Sequence, residues 1–243
     1  ARTSSIGFSI GGYGYVGLGT HNINVNYPCL KDFWQYDTTT NSWTKKADFP
    51  GKARLGAATF VIGNYGYVVT GQVSDSLSPK YTTECWQYNS ISDKWTQKAN
   101  FPGTARAYDV GFSSGGKGFI GTGYNGSKFN DFWEYDTATD TWTQKANFGG
   151  TARFASCGFA VGNKGYICFG EDATHMNQDI WEYDTATNTW AQKTSYPDIG
   201  IYAASGFVIG SSIFVGMGTD DYNHRLSRFW EYNTFTDTWT QKA

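Results

Sequence analysis

The sequence predicts an all-β protein, a five-bladed β-propeller of four-stranded antiparallel blades, on three observations. Aromatic residues make up 18% of the 243 residues and glycine occurs 30 times, whereas charged residues make up only 16%. That composition is typical of many short strands joined by tight turns. One pattern also recurs five times along the chain, and each copy holds two tryptophans nine residues apart. These pairs account for all ten tryptophans and begin at Trp34, Trp86, Trp133, Trp181 and Trp230.

The third copy shows the four strands of the repeat most clearly. The predicted strands are Ala107–Ser114, Gly118–Thr122, Asn130–Asp136 and Thr141–Ala146. The last two are joined by a turn rich in Asp and Thr, whose side chains can hydrogen-bond their own backbone. Folding those strands together about the turn predicts that Trp133 and Trp142 lie close across the hairpin.

The repeat also predicts the domain organisation. A single four-stranded sheet cannot bury aromatic residues on both faces, so the copies must stack on one another. Radial stacking of such sheets gives a propeller, and the chain has a normal length for one all-β domain. We therefore expect one domain over residues 1–243, with blades 1 to 5 at about 1–52, 53–104, 105–151, 152–200 and 201–243.

Three motifs give the repeat a family resemblance. The glycine-containing second strand, the WEYD or WQYN third strand and the Asp-Thr-Trp turn resemble those of the kelch repeat, a propeller family that includes galactose-oxidase-like proteins. Kelch propellers usually have six or seven blades, and five are counted here. Either five blades close by side-chain packing or the chain is a stretch of a longer ring. Closure is favoured, because a missing blade would expose a flat aromatic sheet face.

Charge and hydropathy exclude two classes of partner. The 19 basic and 21 acidic residues give a net charge of −2, which provides no field to attract nucleic acid. The longest apolar runs, such as 56–62, are far shorter than the roughly 18 residues that span a bilayer. The first ten residues lack a signal-peptide pattern, so we expect a processed or trimmed start. The resemblance to regular kelch arrays of secreted bacterial proteins implies an extracellular or cell-surface location.

Four arginines occupy one position of the repeat, at the entrance to the first strand. At this entrance they could grip the carboxylate or hydroxyls of a ligand, or they could brace the neighbouring blade through backbone carbonyls. Bracing is favoured, because a ligand rarely has the symmetry of the ring. Ile201 takes the place in blade 5, and the arginines are Arg2, Arg54, Arg106 and Arg153.

In kelch proteins the ligand face usually lies where the first strand starts and the second ends. Residues that differ between copies map to this face, and rings beside acids and amides suit a carbohydrate or protein ligand. The alternative is unselected variation in exposed loops. The candidates are Tyr108, Asp109, Tyr124, Glu171, Tyr202 and Asp220, and the variable loops also include Asn22 and Ser74.

All three histidines, His21, His175 and His224, fall in loops between second and third strands. Nearby carboxylates make metal ligation conceivable there, and the alternative is solvated loop histidines. No closely spaced ligand pair supports a metal, so we expect no cofactor.

The four cysteines carry separate predictions. Cys85 occupies a third-strand position that is hydrophobic in the other blades, so it is expected to be buried. Cys157 and Cys168 are expected to face one another on the first two strands of blade 4, either as a disulfide or as a free pair. Cys29 is then the exposed thiol.

The sequence leaves three candidate functions open. The first is a non-enzymatic binding or interaction module with a protein or carbohydrate ligand. The second is a kelch-type enzyme, either a sugar mutarotase, which needs acid–base groups around one sugar, or a metal-dependent oxidase, whose copper-ligand pattern has no match here. The third is a structural subunit of a surface assembly, which would self-associate.

Overall fold

The structure of the protein is a computed structural model, and it describes residues 2–21, 28–73 and 80–242. Asn22 and Ser74 lie outside the described residues. The fold is all-β, with five blades of four antiparallel strands in a β-propeller arrangement, and no helix occurs in the described ranges. The predicted fold class is confirmed. Nothing in the described ranges is a helix of the length and hydropathy needed to cross a membrane.

The strands of each blade follow one another in chain order. Blade 1 contains β1 (Ile6–Ile10), β2 (Tyr13–Gly17), β3 (Phe33–Asp37) and β4 (Ser42–Lys45). Blade 2 contains β5 (Arg54–Leu55), β6 (Ala58–Ile62), β7 (Tyr65–Val69), β8 (Gln72–Val73), β9 (Cys85–Asn89) and β10 (Lys94–Lys98). Strands β6, β7, β9 and β10 form its sheet, and β5 pairs with β8 in a separate short ribbon.

The remaining blades repeat this order. Blade 3 contains β11 (Val110–Ser114), β12 (Lys117–Gly121), β13 (Phe132–Asp136) and β14 (Thr141–Gln144). Blade 4 contains β15 (Cys157–Val161), β16 (Lys164–Cys168), β17 (Ile180–Asp184) and β18 (Thr189–Gln192). Blade 5 contains β19 (Ser205–Ile209), β20 (Ser212–Gly216), β21 (Phe229–Asn233) and β22 (Thr238–Lys242).

The first strand of blade 3 begins at Val110, three residues later than predicted. Tyr108 has a φ of 57°, which no extended strand adopts, so the chain bends before β11 starts. Each blade has such a left-handed residue two positions after the strand-entrance position. They are Ser4, Gly56, Tyr108, Ala155 and Ala203.

The prediction that the two tryptophans of a repeat pair across the last hairpin is wrong, because the two strands pair in a different register. In blade 4 the turn places Asp184 opposite Thr189, so Trp190 lies opposite Tyr183 rather than Trp181. The same register holds in blades 1, 2 and 5. In blade 3 the rings of Tyr135 and Trp142 lie 4.8 Å apart, whereas the prediction paired Trp133 with Trp142. The turn is centred one residue later than the sequence suggested.

The chain divides into two compact units. The first comprises residues 1–108 and 135–142, and the second comprises 109–134 and 143–243. In the first unit Phe33 of β3 lies 4.8 Å from Tyr88 and 5.1 Å from Trp95, both of blade 2. Burying a ring of this size stabilises the fold by about 1.5–3 kcal/mol. Contacts of this kind join the hairpin of blade 2 to blade 1.

The second unit repeats the arrangement. Phe132 lies 4.8 Å from Tyr183 and 5.0 Å from Trp190. Phe132 meets both of these rings edge-on, at interplanar angles of 70° and 73°, a geometry that aromatic quadrupoles favour. The closing of the ring and the single domain stay predictions.

Candidate functional site

The strand-entrance arginines are held inside the blades. Arg153 is fully buried, and it donates from Nη1 to the carbonyl of Phe169 at 3.1 Å and from Nη2 to Oδ2 of Asp179 at 2.9 Å. Its guanidinium carbon lies 5.0 Å from the centre of the Phe148 ring. Its other N–H groups donate to Thr151 and Asp179, so all five guanidinium donors are used within the protein.

The other three arginines have related surroundings. Arg54 is buried, donates to the carbonyl of Thr70 at 2.9 Å and forms an ion pair with Glu84. Arg106 is buried and lies 5.1 Å from the centre of the Phe101 ring. Arg2 is partly exposed and donates to Oδ1 of Asp32 at 3.0 Å. These hydrogen bonds lie within each arginine's own blade, so bracing of a neighbouring blade and ligand binding both stay predictions.

An acidic residue two positions before the first tryptophan completes this arrangement, and the sequence reasoning missed it. Asp179 also accepts a hydrogen bond from Trp181 Nε1 at 2.7 Å, so one carboxylate joins an arginine and an indole. In blade 1 the bond from Arg2 is the main reason that the pKa of the Asp32 carboxyl is lowered. The signal was present in the sequence as an acid at this position in four blades, namely Asp32, Glu84, Asp131 and Asp179.

Blade 5 departs from this arrangement at both positions. There Arg228 stands in the acidic position and Ile201 in the arginine position. Arg228 instead forms an ion pair with Asp198. Trp230 Nε1 is buried and has no hydrogen-bond partner within the described part of the chain. Without a carboxylate two positions before it, the Trp230 indole lacks the acceptor that the first tryptophan has in blades 1 to 4.

A cavity of about 680 Å³ lies in the second unit, beside loops of blades 3 and 4. It lies on the predicted ligand face. Its lining includes Tyr124 and Glu171, two of the predicted site residues, together with Lys128 and Phe154. The remaining lining residues are small and comprise Gly126, Ser127, Ala152 and Ala173.

Two short antiparallel bridges position these side chains. Tyr124 pairs with Lys128 around a tight turn in which Gly126 has a φ of 111°, a value that favours glycine. Phe154 pairs with Glu171 through backbone hydrogen bonds of 3.1 and 3.0 Å in the two directions. The first bridge follows β12, and the second connects the entrance of β15 with the end of β16.

The chemistry of the cavity combines rings and charges. The Tyr124 and Phe154 rings lie 5.1 Å apart at an interplanar angle of 34°. Lys128 Nζ lies 2.9 Å from Glu171 Oε1 and 5.2 Å from the centre of the Phe154 ring. Nζ also donates to the carbonyl of Asp172. All four lining side chains are half-buried, so the cavity offers an aromatic surface beside an ordered ion pair.

Asp172 holds the loop that carries Glu171. Its Oδ1 accepts from the backbone N–H groups of Thr174 at 2.8 Å and His175 at 3.0 Å, and its Oδ2 accepts from the Thr151 hydroxyl at 2.9 Å. Burial alone would raise the pKa of the Asp172 carboxyl, but these hydrogen bonds hold it well below its usual value.

The predicted residues of blade 5 form a separate loop structure. Tyr202 is half-buried and pairs with Thr219. Asp220 is buried, and its Oδ1 accepts from the N–H groups of Tyr222 at 3.0 Å and His224 at 2.8 Å. Burial opposes the charged form of Asp220, but these bonds keep its pKa low. Asp220 thus orders its own loop, and a ligand role for it stays a prediction.

Two further candidates lie at the entrance to β11. Tyr108 is half-buried, donates its N–H to the carbonyl of Gly56 at 2.7 Å and rests its ring against that glycine. Burial raises the pKa of its hydroxyl. Asp109 is buried. Neither residue lines the cavity beside Tyr124.

Two of the three histidines contact residues of their own loops. His21 is exposed, His175 Nδ1 lies 2.7 Å from the Thr174 hydroxyl, and His224 Nδ1 lies 3.1 Å from Asp220 Oδ2. Within residues 2–21, 28–73 and 80–242 no three His, Cys, Asp or Glu side chains are grouped to hold a metal ion. The metal hypothesis for His21, His175 and His224 gains no support from this arrangement.

Three of the four cysteines lie where the sequence predicted them. Cys85 is buried as predicted, and its burial raises the pKa of the thiol far above its usual value. Cys157 and Cys168 lie directly opposite one another on β15 and β16, as free thiols. Cys29 is half-buried rather than exposed, because its Sγ faces the carbonyl of Gln72 at 4.0 Å.

The fold and the cavity together define a β-propeller with a loop-built candidate binding site. No family model matches the chain. It is similar to the N-acetylneuraminate epimerase of Vibrio cholerae serotype O1, with 35% identity over 96 residues. The matched stretch covers 37% of this chain and 23% of that protein. This likeness fits a propeller family and gives a weak link to carbohydrate.

Proposed function

We propose that the chain is a carbohydrate-binding β-propeller without catalytic activity and that the cavity beside Tyr124 and Phe154 accepts one sugar ring. The observation that carries the proposal is the pair of rings, 5.1 Å apart, next to the Lys128–Glu171 ion pair. Sugars present apolar C–H faces and polar hydroxyls at once. A site for them therefore needs flat rings and a few oriented charges.

The polar groups of the cavity have spare hydrogen-bonding capacity. An ammonium group has three donors, and Lys128 Nζ uses two of them, on Glu171 and the carbonyl of Asp172. Glu171 accepts from Lys128 through Oε1, which leaves Oε2 for a hydroxyl. Hydrogen bonds to charged groups are about twice as strong as neutral ones. The site is thereby suited to orient a hydroxylated ring.

The curated relative supports the ligand class. Its name states that it acts on N-acetylneuraminate, a carbohydrate, and the similarity covers 37% of this chain. N-acetylneuraminate is therefore the first sugar to test on this protein, followed by neutral hexoses and their N-acetylated derivatives.

Calorimetric titration with that sugar panel tests the proposal. We expect saturable binding that weakens by at least about tenfold in Tyr124→Ala, the size of loss typical of a central aromatic contact. Glu171→Gln should weaken binding less. Tyr222→Ala is the matched control, because that tyrosine is exposed and lies outside the cavity. Absence of binding to every sugar on a broad glycan array would overturn the proposal.

An enzymatic function is the second candidate, favoured by the similarity to an epimerase. A carboxylate and an ammonium 2.9 Å apart could exchange protons with a bound sugar. Epimerisation of N-acetylneuraminate, followed by NMR with and without protein, separates the two functions. Acceleration that disappears in Glu171→Gln would replace the binding proposal by catalysis.

We also propose an extracellular or cell-surface location, which fractionation of the producing cells would test. A protein ligand and a structural role in a surface assembly are the remaining alternatives. Light scattering over a range of concentrations addresses the assembly, since a persistent monomer would count strongly against it.

A further inference from the structure

Consecutive blades in each unit are joined by a repeated set of contacts, here called the clasp. In blade 2 the backbone N–H of Ala47 donates to Asp93 Oδ1 at 3.0 Å. The carbonyl of the same alanine accepts from Trp95 Nε1 at 3.0 Å. One residue at the end of blade 1 is thus held from both sides by blade 2.

The aromatic residue two positions later completes the clasp. The Phe49 ring lies 5.1 Å from Trp95 and 5.8 Å from Trp86, edge-on to both. The Arg54 guanidinium lies 4.9 Å from the centre of the same ring. Phe49 is consequently buried, and it is followed by Pro50 and Gly51.

The clasp recurs three more times with the same geometry. The backbone N–H distances are 2.9, 2.8 and 2.9 Å, and the indole distances are 2.9, 3.1 and 2.7 Å. The clasped residues are Ala99, Ala146 and Thr194, and the buried rings are Phe101, Phe148 and Tyr196.

Blade 1 carries the receiving half of a clasp. Asn41 stands where blade 2 has Asp93, and Trp34, Trp43 and Arg2 stand where it has Trp86, Trp95 and Arg54. Asn41 has the same left-handed backbone as Asp93, with φ values of 52° and 53°. The receiving groups are therefore already arranged.

In blade 1 an open cavity takes the place of the buried aromatic ring that fills the other clasps. The receiving groups of blade 1 are here called the half clasp. The cavity measures about 340 Å³ and is lined by Arg2, Val16, Trp34 and Trp43. Trp43 is 54% exposed, and within the described ranges its Nε1 donates to nothing. No aromatic ring of those ranges lies over Arg2 as Phe49 lies over Arg54. The site has a cavity and an indole donor like those of the four filled clasps, and the cation that three of them use.

We propose that blade 1 binds an extended peptide segment of another polypeptide. The segment has an alanine, any residue, an aromatic residue and then proline or glycine, in that order. The alanine N–H donates to Asn41 Oδ1, and its carbonyl accepts from Trp43 Nε1. The aromatic ring enters the cavity between the two indoles and beneath Arg2. Each contact copies one that the filled clasps make, and the cavity beside Tyr124 takes no part.

A synthetic peptide taken from the chain itself tests this. The blocked hexapeptide Lys-Ala-Asn-Phe-Pro-Gly has the sequence of residues 98–103, which fills the clasp beside Trp142. Fluorescence anisotropy of the labelled peptide should show saturable binding to the whole chain. Replacing its phenylalanine by alanine should abolish binding, because the ring supplies most of the buried surface.

Two protein variants locate the site. Trp43→Ala should weaken peptide binding by at least about tenfold, and because Trp43 is exposed the variant is expected to fold. Asn41→Gly removes the acceptor, together with its exposed hydrogen bond from the Tyr36 hydroxyl, but keeps the left-handed backbone, so it should weaken binding and lower Tm only slightly. Ile91→Ala, on an exposed turn of blade 2, is the control. Absence of saturable binding, or binding that survives Trp43→Ala, would overturn the proposal.

Discussion

The first strands of blades 4 and 5 have nearly the same pattern but very different surroundings. Phe159 of β15 is 8% exposed, because its ring lies against Gly206 of blade 5. Phe207 of β19 occupies the equivalent position and is 49% exposed, with ring contacts to Phe214 and Phe229 of its own blade. The repeat sequence therefore determines the strand, whereas a covering neighbour determines how much its aromatic residue stabilises the fold.

The largest effect should separate these two phenylalanines. Phe159→Ala should lower the free energy of unfolding by about 3–5 kcal/mol, since it removes a buried ring and leaves a cavity. Phe207→Ala should cost only about 1 kcal/mol, because much of that ring already contacts water. Urea denaturation of both variants measures the difference. Equal losses would mean that Phe207 is covered in solution.

The strand-entrance charges should give the next largest effect. Arg153→Ile copies blade 5 but leaves Asp179 without its cation, so we expect a loss of ~3 kcal/mol. Adding Asp179→Asn removes the unpaired charge and keeps an acceptor for the Trp181 indole, so it should restore part of the loss. Thermal denaturation of the single and double variants measures this. A single variant as stable as the wild type would contradict the bracing role.

Acid should distinguish the loops of blades 4 and 5. The folded pKa of Asp172 is lowered, so its contribution to stability is complete above the ordinary Asp pKa of about 3.9. That contribution is lost as the pH falls below this value towards the folded pKa. The Tm difference between the wild type and Asp172→Asn should therefore shrink between about pH 5 and pH 2.

Asp220→Asn provides the comparison for the acid experiment. The hydrogen bonds of Asp220 stay within residues 220–224, whereas Asp172 also binds Thr151. We expect a smaller Tm change for Asp220→Asn at every pH. A larger change than in Asp172→Asn would show that the bond to Thr151 contributes little.

The turns at the outer hairpins should give the smallest effect. Phe235 is 91% exposed in blade 5, and Ala186 holds the equivalent place in blade 4. Both turns use the same hydrogen bond, from Phe235 N–H to Asn233 Oδ1 at 3.0 Å and from Ala186 N–H to Asp184 Oδ1 at 2.8 Å. Phe235→Ala should thus change the unfolding free energy by no more than about 0.5 kcal/mol in urea titrations.

The sequence was sufficient to predict the five blades, because each strand and turn repeats a local pattern five times. It failed by one residue at the hairpin, where Trp190 lies opposite Tyr183, because register depends on where the turn is centred. The acid partner of each strand-entrance arginine was visible in the repeat but carried no local signal of its role.

The candidate site was only partly predictable. Tyr124 and Glu171 were identified as loop residues that vary between copies, but Lys128 was not. The bridge between Phe154 and Glu171 joins residues 17 positions apart, and the ion pair between Lys128 and Glu171 joins residues 43 positions apart. Such convergence is a property of how two blades pack, and spacing in one sequence does not encode it.

The unsatisfied indole of Trp230 has a consequence for the lifetime of the protein. Blade 5 lacks the arginine and acid that fasten the other blades, and its first strand is largely in contact with water. Local opening requires least free energy where buried contacts are fewest. Amide hydrogens of β19 and β20 should exchange with deuterium before those of β15 and β16, and proteases should make their first cuts in blade 5.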